Sequence, residues 1–194
     1  GTAPNTIYAY DALGRVVSIK QPHHANAAGA IVTYSNGKDQ ISNRTDAHGS
    51  TVAYQYVPQG LPGAGNVNII TAPDTTTTIY EYDMMQRVKQ ITGTGTYPVK
   101  YEYTTYGELE KMTTWRSGAP PSSGDVTTWN YHPTTGLLSS KVDAAGKSVS
   151  YTYDTAHRLH TRTWARGAIA TYSYYPHTGR LHTVVYSGPG ALPP

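Results

Sequence analysis

The residues Tyr151-Thr152-Tyr153-Asp154-Thr155-Ala156-His157-Arg158-Leu159 form a phrase that returns along the whole chain. Near-copies stand at Tyr8-Ala9-Tyr10-Asp11-Ala12-Leu13-Gly14-Arg15-Val16 and at Tyr80-Glu81-Tyr82-Asp83-Met84-Met85-Gln86-Arg87-Val88. A looser copy runs from Tyr101 through Tyr103 to Leu109. Aligning the second Tyr of each aromatic-x-Tyr or apolar-x-Tyr pair gives positions 10, 34, 56, 82, 103, 131, 153 and 174, at intervals of 24, 22, 26, 21, 28, 22 and 21. Self-similarity at a fixed period of this length marks a repeat architecture and must be settled before any single residue is interpreted.

Within a unit the period is two. Val149, Tyr151 and Tyr153 fall on one face of an extended chain, and Ser148, Ser150 and Thr152 on the other, the alternation of a half-buried strand. The same pattern runs through Thr51–Tyr56, with Tyr54 and Tyr56, and through the pairs Tyr80/Tyr82 and Tyr101/Tyr103. Trp129/Tyr131 and Tyr172/Tyr174 fill the same slots later in the chain. Two kinds of turn alternate: Asp11-Ala12-Leu13-Gly14 follows a Tyr pair, while Asp46-Ala47-His48-Gly49 and Asp143-Ala144-Ala145-Gly146 precede one. Asp first and Gly fourth suits a type I turn, because the carboxylate caps backbone amides and Gly accepts a left-handed conformation. Two turns per unit make one hairpin per unit. In the returning strand apolar residues recur three positions apart, as Val16 with Ile19 and Val88 with Ile91. Only even offsets share a face of a flat strand, so the spacing predicts a β-bulge or a sharp bend just after the turn.

Composition agrees with exposed sheets. Phe and Cys are absent while Tyr numbers 18 and Trp 3, so the aromatic rings carry polar handles that seek partners. Charged residues are 14% of the chain, against about 25% in average domains. The net charge is +3 and the Lys and Arg are scattered, which lacks the basic stripe of a nucleic-acid binder. No disulfide or thiolate metal site can form without Cys. No apolar run is long enough for a membrane-spanning helix, and this stretch shows no signal-peptide pattern, so any targeting signal is expected to lie outside it. The chain starts at Gly1 with the repeat already under way by Tyr8, so residues 1–194 are expected to be one repeat segment of a longer chain. Leucine-rich and helical solenoids lack their frames here, and choline-binding repeats lack their Gly-Trp punctuation. A propeller, with two units per blade, is the structural alternative.

Tyr8-x-Tyr10-Asp11-x-x-Gly14-Arg15-Val16, Tyr80-x-Tyr82-Asp83-x-x-Gln86-Arg87-Val88, Tyr151-x-Tyr153-Asp154-x-x-His157-Arg158-Leu159 and Gly179-Arg180-Leu181 resemble the YD repeats of the Rhs family, which also occur in toxin-complex subunits, wall-associated proteins and teneurins. The resemblance covers essentially the whole chain, with degenerate units at Tyr34 and Tyr56. It implies an all-β, antiparallel hairpin-repeat β-spiral of about eight units, an open section of a hollow shell. Its implied role is structural: a scaffold that encloses or presents a toxin or effector domain of the parent chain, secreted or at the cell surface. Open sheet edges also offer a route to self-association. No Asp is followed by Pro, so the self-cleavage of the relatives is not expected in this segment.

No catalytic, cofactor or metal residue is assigned. Asp11, Asp83 and Asp154 are read as turn caps rather than as an acid-base set. Arg15, Arg87, Arg158 and Arg180 are read as partners of their own turn Asp or of a neighbouring Tyr ring. His157, His160 and His182 lack a carboxylate or third ligand at strand spacing, and His23-His24 falls in an Ala/Asn/Gly loop. A second function class is a cell-surface adhesion or carbohydrate-binding module, for which Trp115, Trp129 and Trp164 are candidates. Trp115, beside an insertion loop, is read as the freest of the three.

Overall fold

The computed structural model describes residues 5–22, 29–34, 39–116 and 123–189. Every regular element among them is a β-strand, and His23 and His24 lie outside the described residues. The chain divides into two compact units, Gly1–Val99 and Lys100–Pro194.

The first unit contains β1 (Ile7–Tyr10), β2 (Val16–Lys20), β3 (Ala30–Tyr34), β4 (Ile41–Thr45), β5 (Thr51–Tyr56), β6 (Val67–Thr71), β7 (Thr77–Tyr82) and β8 (Val88–Thr92), hydrogen-bonded in chain order. The second contains β9 (Val99–Tyr103), β10 (Leu109–Thr114), β11 (Asp125–Tyr131), β12 (Leu138–Val142), β13 (Ser148–Tyr153), β14 (Leu159–Thr163), β15 (Ile169–Tyr174) and β16 (Leu181–Ser187), again in chain order. An unbroken run of sequential antiparallel neighbours replaces the four-stranded blades that a propeller requires.

The threefold apolar spacing has a direct cause. In β1–β2, Ala9 pairs with Ser18 but Tyr10 pairs with Val16, leaving Val17 as an extra residue. The same slip falls before the second Tyr in β3–β4, β5–β6, β7–β8, β11–β12, β13–β14 and β15–β16. Each bulge moves the next residue back into phase, so Val16 faces Tyr10 while Ile19 faces Tyr8. The degenerate units share this geometry: Tyr34 pairs with Ile41 and Tyr56 with Val67.

Pairing between hairpins is shorter. β14 meets β15 only from Thr161 to Thr163, and β12 meets β13 only from Ser140 to Val142. At these junctions the first residue of the returning strand, Leu138 or Leu159, has a partner on one side only and the bulge residue after it has none, so consecutive hairpins splay at the Tyr-Asp end. Among the described residues only Val57, Trp115, Ala168 and Ala170 are buried apolar residues. One face carries Tyr and aliphatic side chains; the other carries hydroxyl pairs such as Thr152–Thr161 at 2.6 Å and Thr45–Thr51 at 2.8 Å.

The fourth turn position requires a left-handed backbone. Gly14 takes it at φ 78°, but Gln86 and His157 are held there at 67° and 61°. A side chain in this region costs roughly 1–2 kcal/mol, partly offset by the entropy that Gly loses on folding. His157→Gly is expected to raise the unfolding free energy by about 0.5–1 kcal/mol, measured by urea denaturation; a loss of stability would contradict this account of the turns.

Candidate functional site

The repeated side chains form a clamp between successive hairpins. Asp154 Oδ1 accepts the N–H groups of Ala156 and Arg158, both at 2.9 Å, which closes the turn. Its Oδ2 accepts Arg158 Nε at 2.8 Å and pairs with the second guanidinium nitrogen at 2.8 Å. Arg158 then lies over the ring of Tyr174 in the next hairpin, 4.4 Å from its centroid. Finally Tyr174 Oη donates to the carbonyl of Leu159 at 2.7 Å. One chain of contacts thus runs from a turn, through its Arg, to the following Tyr, and back to the strand that left the turn.

Asp11, Arg15 and Tyr34 repeat the arrangement, with Arg15 4.1 Å from the Tyr34 centroid. Arg15 also meets Asp39 at 2.7 Å. Asp83 and Arg87 repeat the turn and ion pair. The tyrosine hydroxyl bond recurs where no Arg precedes it: Tyr56 to Ile41, Tyr82 to Val67 and Tyr153 to Leu138, at 2.8, 2.7 and 2.9 Å. Each acceptor is the first residue of a returning strand, where the ladder to the next hairpin has not begun. Burial pushes the phenols of Tyr56, Tyr82 and Tyr153 above their ordinary range. Tyr54, Tyr80 and Tyr172, the first members of their pairs, lie across from Ile70, Ile91 and Val184, while Tyr151 faces Arg162. Tyr101 and Tyr103 are half-buried on β9, whereas Tyr8 and Tyr10 are exposed on β1.

The Arg slot is not constant. Gln40 occupies it before Tyr56 and donates to the carbonyl of Gly65; Asn66 occupies it before Tyr82 and donates to Gln86 Oε1. Leu137 fills it before Tyr153. Before Tyr131 the slot holds Glu108, and the turn Asp is replaced by Thr104, whose hydroxyl accepts the N–H of Glu108 at 3.2 Å and donates to the Glu108 carboxylate. That hydrogen bond leads in holding Glu108 below the usual carboxylate range. Tyr131 still donates to Leu109 O at 2.8 Å, and burial, then the nearby Glu108 charge, push its phenol up. A cleft of about 660 Å³ opens here, lined by Tyr106, Glu108, Glu110, Trp129, Tyr131 and His132 among others.

The tryptophans divide differently from the expectation. Trp115 is only 7% exposed and is not the freest of the three. A Cβ on Gly124 would stand 2.9 Å from Trp115 Cε2, so the ring is covered by close backbone approach and offers no open face to a sugar. Trp129 lines the cleft and carries Lys141 at 5.0 Å, while Trp164 lies under Arg162 at 4.6 Å. His160 and His182 are both bulge residues, and β15 lies between their strands. The ring of His182 lies 4.3 Å from that of Tyr175. Among the described residues no three His, Asp or Glu side chains gather in a metal-holding group.

The RHS Repeat family model matches residues 131–169, the segment from Tyr131 through the Asp154–Arg158 clamp to β15. Residues 131–169 carry the RHS repeat. No curated protein matches it in sequence. Among solved structures it is similar to the crystal structure of TcdB2-TccC3-TEV, with 16% identity, a TM-score of 0.56, and coverage of 96% of this chain and 11% of that one. It is also similar to a Photorhabdus luminescens Tc holotoxin pore, with 16% identity, a TM-score of 0.53, and coverage of 94% and 11%. TcdB2-TccC3 without its hypervariable C-terminal region gives 16% identity, a TM-score of 0.50, and coverage of 96% and 13%. At these identities the likeness establishes the fold, and the chain spans about a tenth of each neighbour's length.

The clamps are electrostatically tuned. The Arg15 side chain leads in lowering Asp11, and the N–H of Arg158 leads in lowering Asp154. At Asp83 partial burial pulls upward, and the hydrogen bonds from Arg87 and Met85 outweigh it. A carboxyl whose folded value lies below its unfolded value near 3.8 stabilises above that value and loses the contribution as pH falls through the folded value. Unfolding free energy is therefore expected to fall below about pH 4, and Asp83→Asn with Asp154→Asn should flatten that acid limb. Tyr174→Phe is expected to cost about 1 kcal/mol. Tyr10→Phe, on an exposed ring, should stay within about 0.5 kcal/mol; equal losses in denaturant melts would remove the hydroxyl bond from the clamp.

Proposed function

We propose that this chain is a non-catalytic structural section of an RHS-type shell that encloses or presents a toxin or effector, secreted as part of a toxin complex. The observation that carries the reading is the hairpin-to-hairpin clamp. It extends a sheet by adding like units and needs no packed core, which suits a wall with two solvent- or cargo-facing sides. The Asp residues that chemistry would need are occupied in turn capping and ion pairs. The fold neighbours carry the names TcdB2-TccC3 and Tc holotoxin, and those names are the basis for proposing a toxin partner here. In this reading residues 1–194 are one segment of a longer chain, its outer strands continuing into further hairpins. The adhesion reading loses its leading residue with the burial of Trp115.

The test is protection. In material isolated natively from the producing cells, an effector associated with the polypeptide carrying these residues is expected to resist a broad-specificity protease until denaturant melts the sheet. An effector digested equally fast before and after melting would overturn the shell reading.

A further inference from the structure

Among the described residues, the cleft beneath Glu108 stands apart from the other inter-hairpin gaps within each unit in the character of its hydrogen-bonding groups. In other units the Arg slot holds a cation, an amide or, at Leu137, an apolar side chain: Arg15 and Arg158 lie over Tyr34 and Tyr174, and Gln40 donates to Gly65 O. The residue after the first apolar position of the returning strand also carries donors in several units: Asn68 donates to Tyr80 O of the next hairpin, while Ser42 and Ser139 donate back to Thr33 O and Asn130 O of their own hairpins. In the unit that begins with Tyr101 both slots hold carboxylates, Glu108 and Glu110. A carboxylate at neutral pH only accepts.

The surroundings suit a planar cation. β10 pairs with β11 only from Lys111 onward, so Leu109 and Glu110 border the splayed gap. Tyr131, the counterpart of the rings that Arg15 and Arg158 cover, lines the cleft together with Trp129 and the 90% exposed Tyr106. Glu108 is bound to Thr104, but among the described residues the Glu110 side chain makes no hydrogen bond or ion pair. Lys141, stacked on Trp129, does not line the cleft. A guanidinium combines flat stacking on an aromatic ring with a fork of donors matched to carboxylates.

We propose that this cleft binds the side chain of an arginine brought by a partner polypeptide, which takes the place that the repeat's own Arg holds over Tyr34 and Tyr174. The inference stands on the comparison between units and does not require the shell reading.

The probe is a short capped peptide with one arginine, titrated against the folded chain while Trp fluorescence is followed. Saturable binding is expected. It should weaken at least tenfold when arginine is replaced by the uncharged citrulline, and should weaken with added salt. Glu110→Gln is expected to weaken binding at least threefold without altering the thermal melt, because Glu110 holds no structural bond. Glu108→Gln should weaken it further, and Glu102→Gln, outside the cleft, should leave it unchanged. Equal binding of the citrulline peptide, indifference to Glu110→Gln, or retention of glycans in place of the peptide would each overturn the proposal.

Discussion

The sheet of each unit depends on a single kind of bond, the tyrosine hydroxyl donated to the first carbonyl of the preceding returning strand. The bulge makes it necessary. By inserting one residue beside the turn, it twists the hairpin away from its neighbour and leaves carbonyls such as those of Leu138 and Leu159 ahead of the point where the next ladder begins. An unpaired carbonyl in a half-dry gap is costly. The ring of the following Tyr fills the gap and its hydroxyl satisfies the carbonyl. With so few buried apolar side chains, stability is the sum of such nearest-neighbour links, as in other repeat proteins.

The Asp–Arg pair adds direction to this link. Asp154 closes its own turn with one carboxylate oxygen and holds Arg158 with the other, so that the guanidinium is preorganised before it meets Tyr174. Where Gln40 or Asn66 stands in for Arg, an amide still reaches the next hairpin, and where Leu137 does, the tyrosine bond remains alone. The Thr104–Glu108 pair keeps the turn closed yet inverts the charge presented to the next ring.

Much of this was legible in the residues themselves. Period-two runs marked the strands, Asp-x-x-Gly marked the turns, and the pairing of Val16 with Ile19 at an odd spacing announced the bulge that Val17 provides. Three things were hidden. The short ladders between hairpins depend on tertiary register, which no single hairpin encodes. The burial of Trp115 depends on the absence of a side chain at Gly124, a contact made across an insertion. The cleft at Glu108 is visible only as a departure from the repeat, by setting Thr104-x-x-x-Glu108 against Asp154-x-x-x-Arg158 and asking what the substituted slot no longer supplies.

The segment after Tyr56 carries a wider lesson. Val57 donates to Asn66 O and Gly65 donates to Val57 O, so this long excursion seals itself before the strand resumes, and Tyr56 still meets Val67 as Tyr10 meets Val16. The sheet counts hairpins, not residues. Loops at this edge are free to lengthen, shrink or exchange content while the fabric behind them stays in step, which makes them the natural ground on which such a chain can try out new surfaces without renegotiating its fold.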